Sequence, residues 1–237
     1  MQINAIILAG GVGSRMKAGK PKQFIEIDGI PVIVNTLMNF QKNERVTGIT
    51  VVCLQDWILH LRELVNHYGL TKVTNIIPGG ATGHDSTRNG IYSLRNSMSD
   101  DDYVIIHDAA RPLIPQSIIN KMIDKAIEKG NACTAIACHE TVIITNDQIS
   151  GDSELDRSKI MRVQTPQMYR YGQLYPLYKK ADEENRHDFI YANTMAIHYG
   201  TRIYFSEGFD CNVKITTKED IAFYKALRQF EEEELVK

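Results

Sequence analysis

The sequence predicts an α/β protein with a Rossmann-like, doubly wound, mainly parallel sheet, helices on both faces and a projecting β-arm. Three observations carry this expectation. Apolar runs of strand length recur at 5–9, 49–54, 73–77, 103–107 and 134–138, with isoleucines and valines continuous rather than alternating, as in strands buried on both faces. Stretches with helical spacing fall between or after them. One polar segment, 140–162, breaks the rhythm.

The elements follow in order. After the first run, IEIDG at 25–29 reads as a short hairpin. Trp57, Leu61, Leu64, Val65 and Tyr68 form a helical stripe that Gly69 ends. Ile118, Ile119, Met122, Ile123, Ala126 and Ile127 form another, with Lys125 and Lys129 in its last turn and Gly130 after it. The VIIT run and the polar NDQISGDSELDRSK stretch read as a β-arm leaving the core. Thr217 and Asp220 form a capping box ahead of Ile221, Tyr224 and Leu227. Strand–helix alternation places ligands beyond the carboxyl ends of the strands.

Bulk properties narrow the function. The 237 residues carry 27 Lys and Arg against 29 Asp and Glu, a net charge of −2, so no global basic field points to nucleic acid or a membrane surface. The four cysteines, Cys53, Cys133, Cys138 and Cys211, show no CxxC spacing and read as reduced thiols of a cytoplasmic protein. No run approaches the ~18 apolar residues of a membrane span. MQINAIILAGG lacks a basic leader, and its apolar run is short for a signal peptide.

Positive charge is instead local. ILAGGVGSRMKAGKPKQF at 7–24 leaves a strand, crosses a glycine turn and places Arg15, Lys17, Lys20 and Lys22 within eight positions. Gly10, Gly11 and Gly13 let a phosphate approach the backbone with no Cβ in the way, and the cations suit a polyphosphate. A Walker A loop is absent, and GGVGSRM lacks the third glycine of the dinucleotide fingerprint. Two readings stay open, a nucleotidyltransferase loop of the form LxxGxGxRM followed by PKQ and a plain turn with a solvated charge run, and the coincidence of glycines and cations at a strand end favours the first.

AGGVGSRM (9–16), PKQF (21–24), HDAARP (107–112), QTPQ (164–167) and NVKIT (212–216) resemble, in order, the cytidylyltransferases that act on sugar-alcohol phosphates. The resemblance runs from residue 3 to about 225, which suggests a single nucleotidyltransferase domain over 1–237 with the arm at 140–162 inserted for dimerisation. It implies transfer of CMP from CTP to a polyol phosphate with release of pyrophosphate. Because a phosphate dianion already carries its nucleophile, such an enzyme aligns groups and stabilises charge.

By that resemblance Arg15, Lys22 and Lys214 are the catalytic cations at the CTP phosphates, with Lys17 and Lys20 as electrostatic support. Asp108 stands at Mg²⁺ and the substrate, and one carboxylate suffices for an ion that keeps waters and binds phosphates. Leu8, Ala9, Gly10, Gly11, Gly80, Ser86, Ala109 and Arg111 fall at nucleotide-binding positions, Arg111 equally as an ion pair closing its loop. Ala81 stands where relatives carry Asp or Thr, so Thr82 is the candidate replacement contact. Thr141 and Arg157 match residues that reach across a homodimer to the acceptor phosphate, and Thr165 anchors the return of the arm.

The acceptor is less sharply marked. LAGGVGSRM, PKQF and the tryptophan of QDWI look like the ribitol-phosphate branch, whereas HDAARP is the methylerythritol spelling. HDFIYANTMAIHYG at 187–200 fits neither, because Ile190, Tyr191 and Ala192 stand where a carboxylate is usual; Asp188, Tyr191 and Asn193 are the candidate replacements. Ribitol 5-phosphate is the favoured acceptor and 2-C-methyl-D-erythritol 4-phosphate the alternative. A nicotinamide oxidoreductase lacks its acidic residue about 20 positions on. A nucleotide-binding protein without turnover is disfavoured by the joint presence of Arg15, Lys22, Asp108, Arg157 and Lys214.

Overall fold

The computed structural model describes residues 1–11 and 19–235, with side chains through 229; Arg15 and Lys17 lie outside the described residues. The chain runs β1 (Ile3–Ala9), the hairpin β2 (Glu26–Ile27) and β3 (Ile30–Pro31), α1 (Val32–Lys42), β4 (Gly48–Cys53), α2 (Ile58–His67), β5 (Val73–Pro78), α3 (Gly83–Ser93), β6 (Tyr103–Asp108) and α4 (Gln116–Lys129). It continues with β7 (Asn131–Ala137), β8 (Val142–Ile144), β9 (Ser153–Leu155), β10 (Met161–Arg170), α5 (Tyr171–Glu183), α6 (Ala192–His198), β11 (Phe205–Glu207) and α7 (Lys218–Leu235).

The main sheet has seven strands in the order β11-β7-β10-β6-β1-β4-β5. All pairings are parallel except those of β10, which is antiparallel to both β6 and β7. The predicted parallel strands are all present. β10 is not among the predicted strands; the residues either side of Pro166 pair with β7, with the register shifting between Val163 and Gln167.

Alternation along β1 builds two cores. Ile3, Ala5 and Ile7 pack with Ile33, Leu37 and Phe40 of α1 and Ile119, Met122 and Ile123 of α4. Ile6 faces the other side, among Ile91 of α3, Tyr171 and Tyr178 of α5, and Met195 of α6. Each fully buried aliphatic side chain contributes about 1.5–3 kcal/mol. Helices therefore cover both faces, as the sequence predicts. The IEIDG hairpin forms with consecutive positive φ values at Asp28 and Gly29. Gly130 ends α4 in the left-handed conformation. Asp220 N–H donates to Thr217 Oγ1 while Thr217 N–H donates to Asp220 Oδ2, completing the expected capping box. Cys53, Cys133 and Cys138 are buried and unpaired, and burial pushes the Cys53 and Cys133 thiols up to about 12.

The arm predicted at 140–162 is present, with Val142 paired to Leu155 and Ile144 to Ser153, but Met161 and Arg162 at its end already pair with β7 as the start of β10. Asp147 accepts from the amides of Ile149 and Ser150 and so shapes the tip. Ile143, Ile144, Ile149 and Leu155 are exposed, Ile149 by 91%.

Helix α3 lies against the sheet through Gly90, where an added Cβ would stand 2.6 Å from Ile6 Cγ2 and 3.1 Å from Val52 Cγ2. Gly90→Val should therefore overpack this contact and destabilise the fold by about 1–3 kcal/mol. Thermal denaturation should show a melting point several degrees lower; an unchanged melting point would contradict the packing described.

Candidate active site

Because β1 sits between β4 and β6, the carboxyl ends of these strands open onto a crevice at the point where the chain changes direction across the sheet. A cavity of about 750 Å³ occupies it. Leu8, Gly10, Gly11 and Lys22 line it from the first loop, Gly80 to Gly83 with Ser86 and Thr87 from the second, and Asp108 to Ala110, Thr165 and Lys214 from the later motifs. Residues 187–192 close the remaining side.

The two glycine loops touch. A Cβ on either Gly10 or Gly79 would lie 3.1 Å from Ser86 Oγ, and Gly80 N–H donates to the same hydroxyl at 3.1 Å. At Gly80 the added Cβ would meet Asp85 Cβ at 2.3 Å, so only glycine fits there without moving the start of α3. Gln23 fixes the first loop from behind: its buried Nε2 donates to the carbonyls of Ala9 at 2.6 Å and Gly11 at 3.0 Å. Ala9 thus acts through its backbone rather than by lining the cavity. Gln23 was missed in the sequence, where PKQF reads for its lysine alone.

Asp108 organises the opposite wall. Its Oδ2 lies 3.0 Å from Lys214 Nζ and 3.1 Å from Arg111 Nε. Burial opposes ionisation of this carboxyl, but Lys214 and Arg111 outweigh it and hold the group below the usual carboxylate range. Asp108 N–H donates to Thr165 Oγ1, and Asn212 Nδ2 donates to the Thr165 carbonyl. Arg111 Nη1 reaches the Asn212 carbonyl at 2.7 Å, and Ile215 N–H pairs with the Ala110 carbonyl. HDAARP, QTPQ and NVKIT are therefore one hydrogen-bonded unit. Arg111 closes the loop and is absent from the cavity lining, whereas Ala109 lines it.

Other expected residues divide. Thr82 lines the cavity, but its hydroxyl caps α3 by accepting from Asp85 N–H at 3.0 Å and donating to Asp85 Oδ2 at 2.9 Å. Asn193 is buried, with Nδ2 toward Cys133 Sγ, and does not line the cavity. Asp188 and Tyr191 do line it, with Asp188 clasped by Arg186 at 2.9 and 3.0 Å. Lys20 pairs with Glu26 at 3.4 Å. Thr141 and Arg157 stay on the arm, where Arg157 Nη1 donates to the His139 carbonyl, and neither lines this chain's own cavity.

A cavity lined by Lys22 and Lys214, the latter paired with a buried carboxylate, and opened by two apposed glycine loops at the head of a doubly wound sheet has the form of a nucleotidyltransferase site. Comparison with known proteins fixes the family. The family described as "IspD: 2-C-methyl-D-erythritol 4-phosphate cytidylyltransferase" matches residues 3–229. The chain is 37% identical over 226 residues to the ribitol-5-phosphate cytidylyltransferase of Lacticaseibacillus paracasei, covering 94% of this chain and 97% of that one. It is 33% identical over 219 residues to the 2-C-methyl-D-erythritol 4-phosphate cytidylyltransferase of Clostridium botulinum, covering 92% and 93%. The crystal structure of the Francisella tularensis 2-C-methyl-D-erythritol 4-phosphate cytidylyltransferase superposes with a TM-score of 0.80 at 26% identity, covering 95% of this chain and 99% of that one. The chain belongs to the IspD family of cytidylyltransferases and is a nucleotidyltransferase. Among the described residues no helix is long and apolar enough to cross a membrane.

His107, beside Asp108, gives the site a pH signature. Its Nε2 donates to the Arg111 carbonyl at 3.0 Å while Nδ1 is buried without a partner, and burial pushes the imidazole down to about 4. The unfolded chain protonates this group near 6.5, so between about 4 and 6.5 the unfolded state binds more protons. The contribution, up to about 3 kcal/mol, is complete above pH 6.5 and lost as pH falls toward 4. Urea unfolding at stepped pH should show this loss, with a shallower slope in His107→Gln; equal slopes would contradict the assignment. Buried His84 shifts in the same direction, so the slope should shrink rather than vanish.

Proposed function

We propose that the chain transfers CMP from CTP to ribitol 5-phosphate, forming CDP-ribitol and releasing pyrophosphate. The observation that carries the acceptor is the 37% identity, over nearly the whole of both chains, to a relative named for ribitol 5-phosphate. Methylerythritol phosphate is the second reading, favoured by the family description and the relative at 33% identity.

In this reading the acceptor's phosphate oxygen attacks the α-phosphorus of CTP in line, and the bond from that phosphorus to the bridging oxygen of pyrophosphate breaks. Lys22 and Lys214, both on the cavity wall, offset charge that grows on the α-phosphate and on the leaving group. Arg15 takes the same part from the first loop. The cytosine rests against Gly10, Gly11, Gly80 and Ser86, whose lack of bulk admits a flat ring and exposes main-chain groups to its edge.

Magnesium is the proposed cofactor. Among the described residues no three His, Cys, Asp or Glu side chains gather as a metal cage. An ion that keeps its waters and binds phosphates needs only one hard oxygen from the protein, and Asp108 Oδ1, which is in neither ion pair, fits that need. Bound there, the ion would screen the triphosphate charge.

The arm supports a homodimer. Its exposed Ile143, Ile144 and Leu155 suit a partner surface, and Thr141 and Arg157, which do not line their own cavity, would serve that of a neighbouring subunit. A guanidinium recognises a phosphate in a bidentate manner.

Two outcomes follow from this function. Pyrophosphate release with CTP and Mg²⁺ across a panel of polyol phosphates should be fastest with ribitol 5-phosphate; faster turnover of methylerythritol phosphate would move the assignment to the second reading. Arg157→Ala and Lys22→Ala should each be impaired alone, yet mixing them after dissociation and reassociation should restore up to about a quarter of wild-type activity through mixed dimers with one intact site. Failure of the mixture to exceed its parents would contradict a site shared between subunits.

A further inference from the structure

The segment that closes the cavity lacks the carboxylate expected at 190–192, and its remaining acid, Asp188, is already clasped by Arg186. Another polar side chain of the segment is held in a different way. His187 lines the cavity with its side chain 36% exposed, and its Nδ1 lies 3.3 Å from Asp85 Oδ1 and 3.2 Å from Arg88 Nη1. These partners belong to α3, nearly 100 residues away in sequence.

The support behind His187 is extensive. Asp85 closes the Thr82 capping box and also lies 3.3 Å from Arg88 Nη2. Arg88 bonds Asp182 of α5 at 2.8 Å, and Tyr92 donates to the other oxygen of Asp182 at 2.6 Å. Burial opposes ionisation of Asp85 and Asp182. Hydrogen bonds from Thr82 and Tyr92, together with Arg88, nevertheless hold both carboxyls below their usual range. The His84 ring stands edge-on to that of His187 at 6.0 Å. An imidazole whose Nδ1 is engaged by this charged frame, as acceptor from Arg88 or as donor to Asp85, has one nitrogen left for chemistry, and Nε2 has no protein partner among the described residues.

We propose that His187 is the acceptor-recognising residue of this chain: Asp85 and Arg88 hold its Nδ1 edge, and Nε2 hydrogen-bonds a hydroxyl of the polyol phosphate in place of the absent carboxylate. The inference rests on the polyol-phosphate reading above. It explains how a segment carrying Ile190 and Tyr191 where a carboxylate is usual can still grip a hydroxylated acceptor. A site built around a hydroxyl discriminates strongly against analogues that lack it.

The test separates the two ring nitrogens. His187→Asn keeps an amide near the Nδ1 position for Asp85 but has nothing at Nε2, whereas His187→Gln places its amide near Nε2. At saturating CTP, His187→Asn should raise the KM for ribitol 5-phosphate roughly tenfold, the loss of one hydrogen bond. Its CTP affinity and melting temperature should stay near wild type, and His187→Gln should recover part of the lost acceptor affinity. An unchanged KM in His187→Asn, or an equal loss of CTP affinity, overturns the proposal. Diethyl pyrocarbonate labelling of wild-type protein, read by peptide mass spectrometry, needs no variant: ribitol 5-phosphate added with CTP should slow modification of His187 beyond CTP alone, and equal rates overturn the proposal. Wild-type protein that transfers CMP to no polyol phosphate defeats the underlying reading; wild-type turnover with an indifferent His187→Asn defeats this inference alone.

Discussion

The buried contact of Asp108 with Lys214 and Arg111 is the constraint on which the site depends. A carboxylate removed from water at the end of a central strand is costly unless it is paired, and here two cations from different parts of the chain meet one of its oxygens. That requirement draws NVKIT onto HDAARP. Thr165 and Asn212 then tie both to β10, so an antiparallel strand joins an otherwise parallel sheet at the place where it can supply the wall of the cavity.

On the facing side the constraint is steric. Gly10, Gly79 and Gly80 converge on Ser86 and Asp85 closely enough that side chains there would push the loops apart. Gln23 holds the first loop by its carbonyls, which leaves main-chain groups and Lys22 turned to the cavity. In the proposed function, apposed backbone on one wall would face the flat polar ring of the nucleotide and the charged triad on the other would face its phosphates. An enzyme of this kind works by placing charge rather than by moving protons.

Most of this was legible where residues that act together also lie together. The buried strands show as unbroken apolar runs, and the glycines and cations of 7–24, Asp108 in HDAARP and Lys214 in NVKIT stand in short motifs. What escaped reading depends on contacts between distant residues. Gln23 looks like any surface glutamine until the loop folds back on it. Thr82 was expected at the ligand, but a threonine three residues before an aspartate at a helix start is claimed by capping. Asn193 was expected at the acceptor and is turned inward by α6. The link of Asp85 and Arg88 to His187 leaves no trace in local sequence. Arg157 carries no signal of its own in ELDRSK, and its expected role at a neighbouring subunit comes from the resemblance alone.

A crystal structure with CTP and Mg²⁺ bound tests the central claim most directly, through the distance from Lys214 Nζ to Asp108 and to the triphosphate. The account predicts phosphates within hydrogen-bond reach of Lys22 and Lys214, the cytosine against Gly80 and Ser86, and the Asp108–Arg111 pair intact. Nucleotide bound elsewhere, with Lys214 still closed on Asp108 and the glycine loops empty, would contradict it.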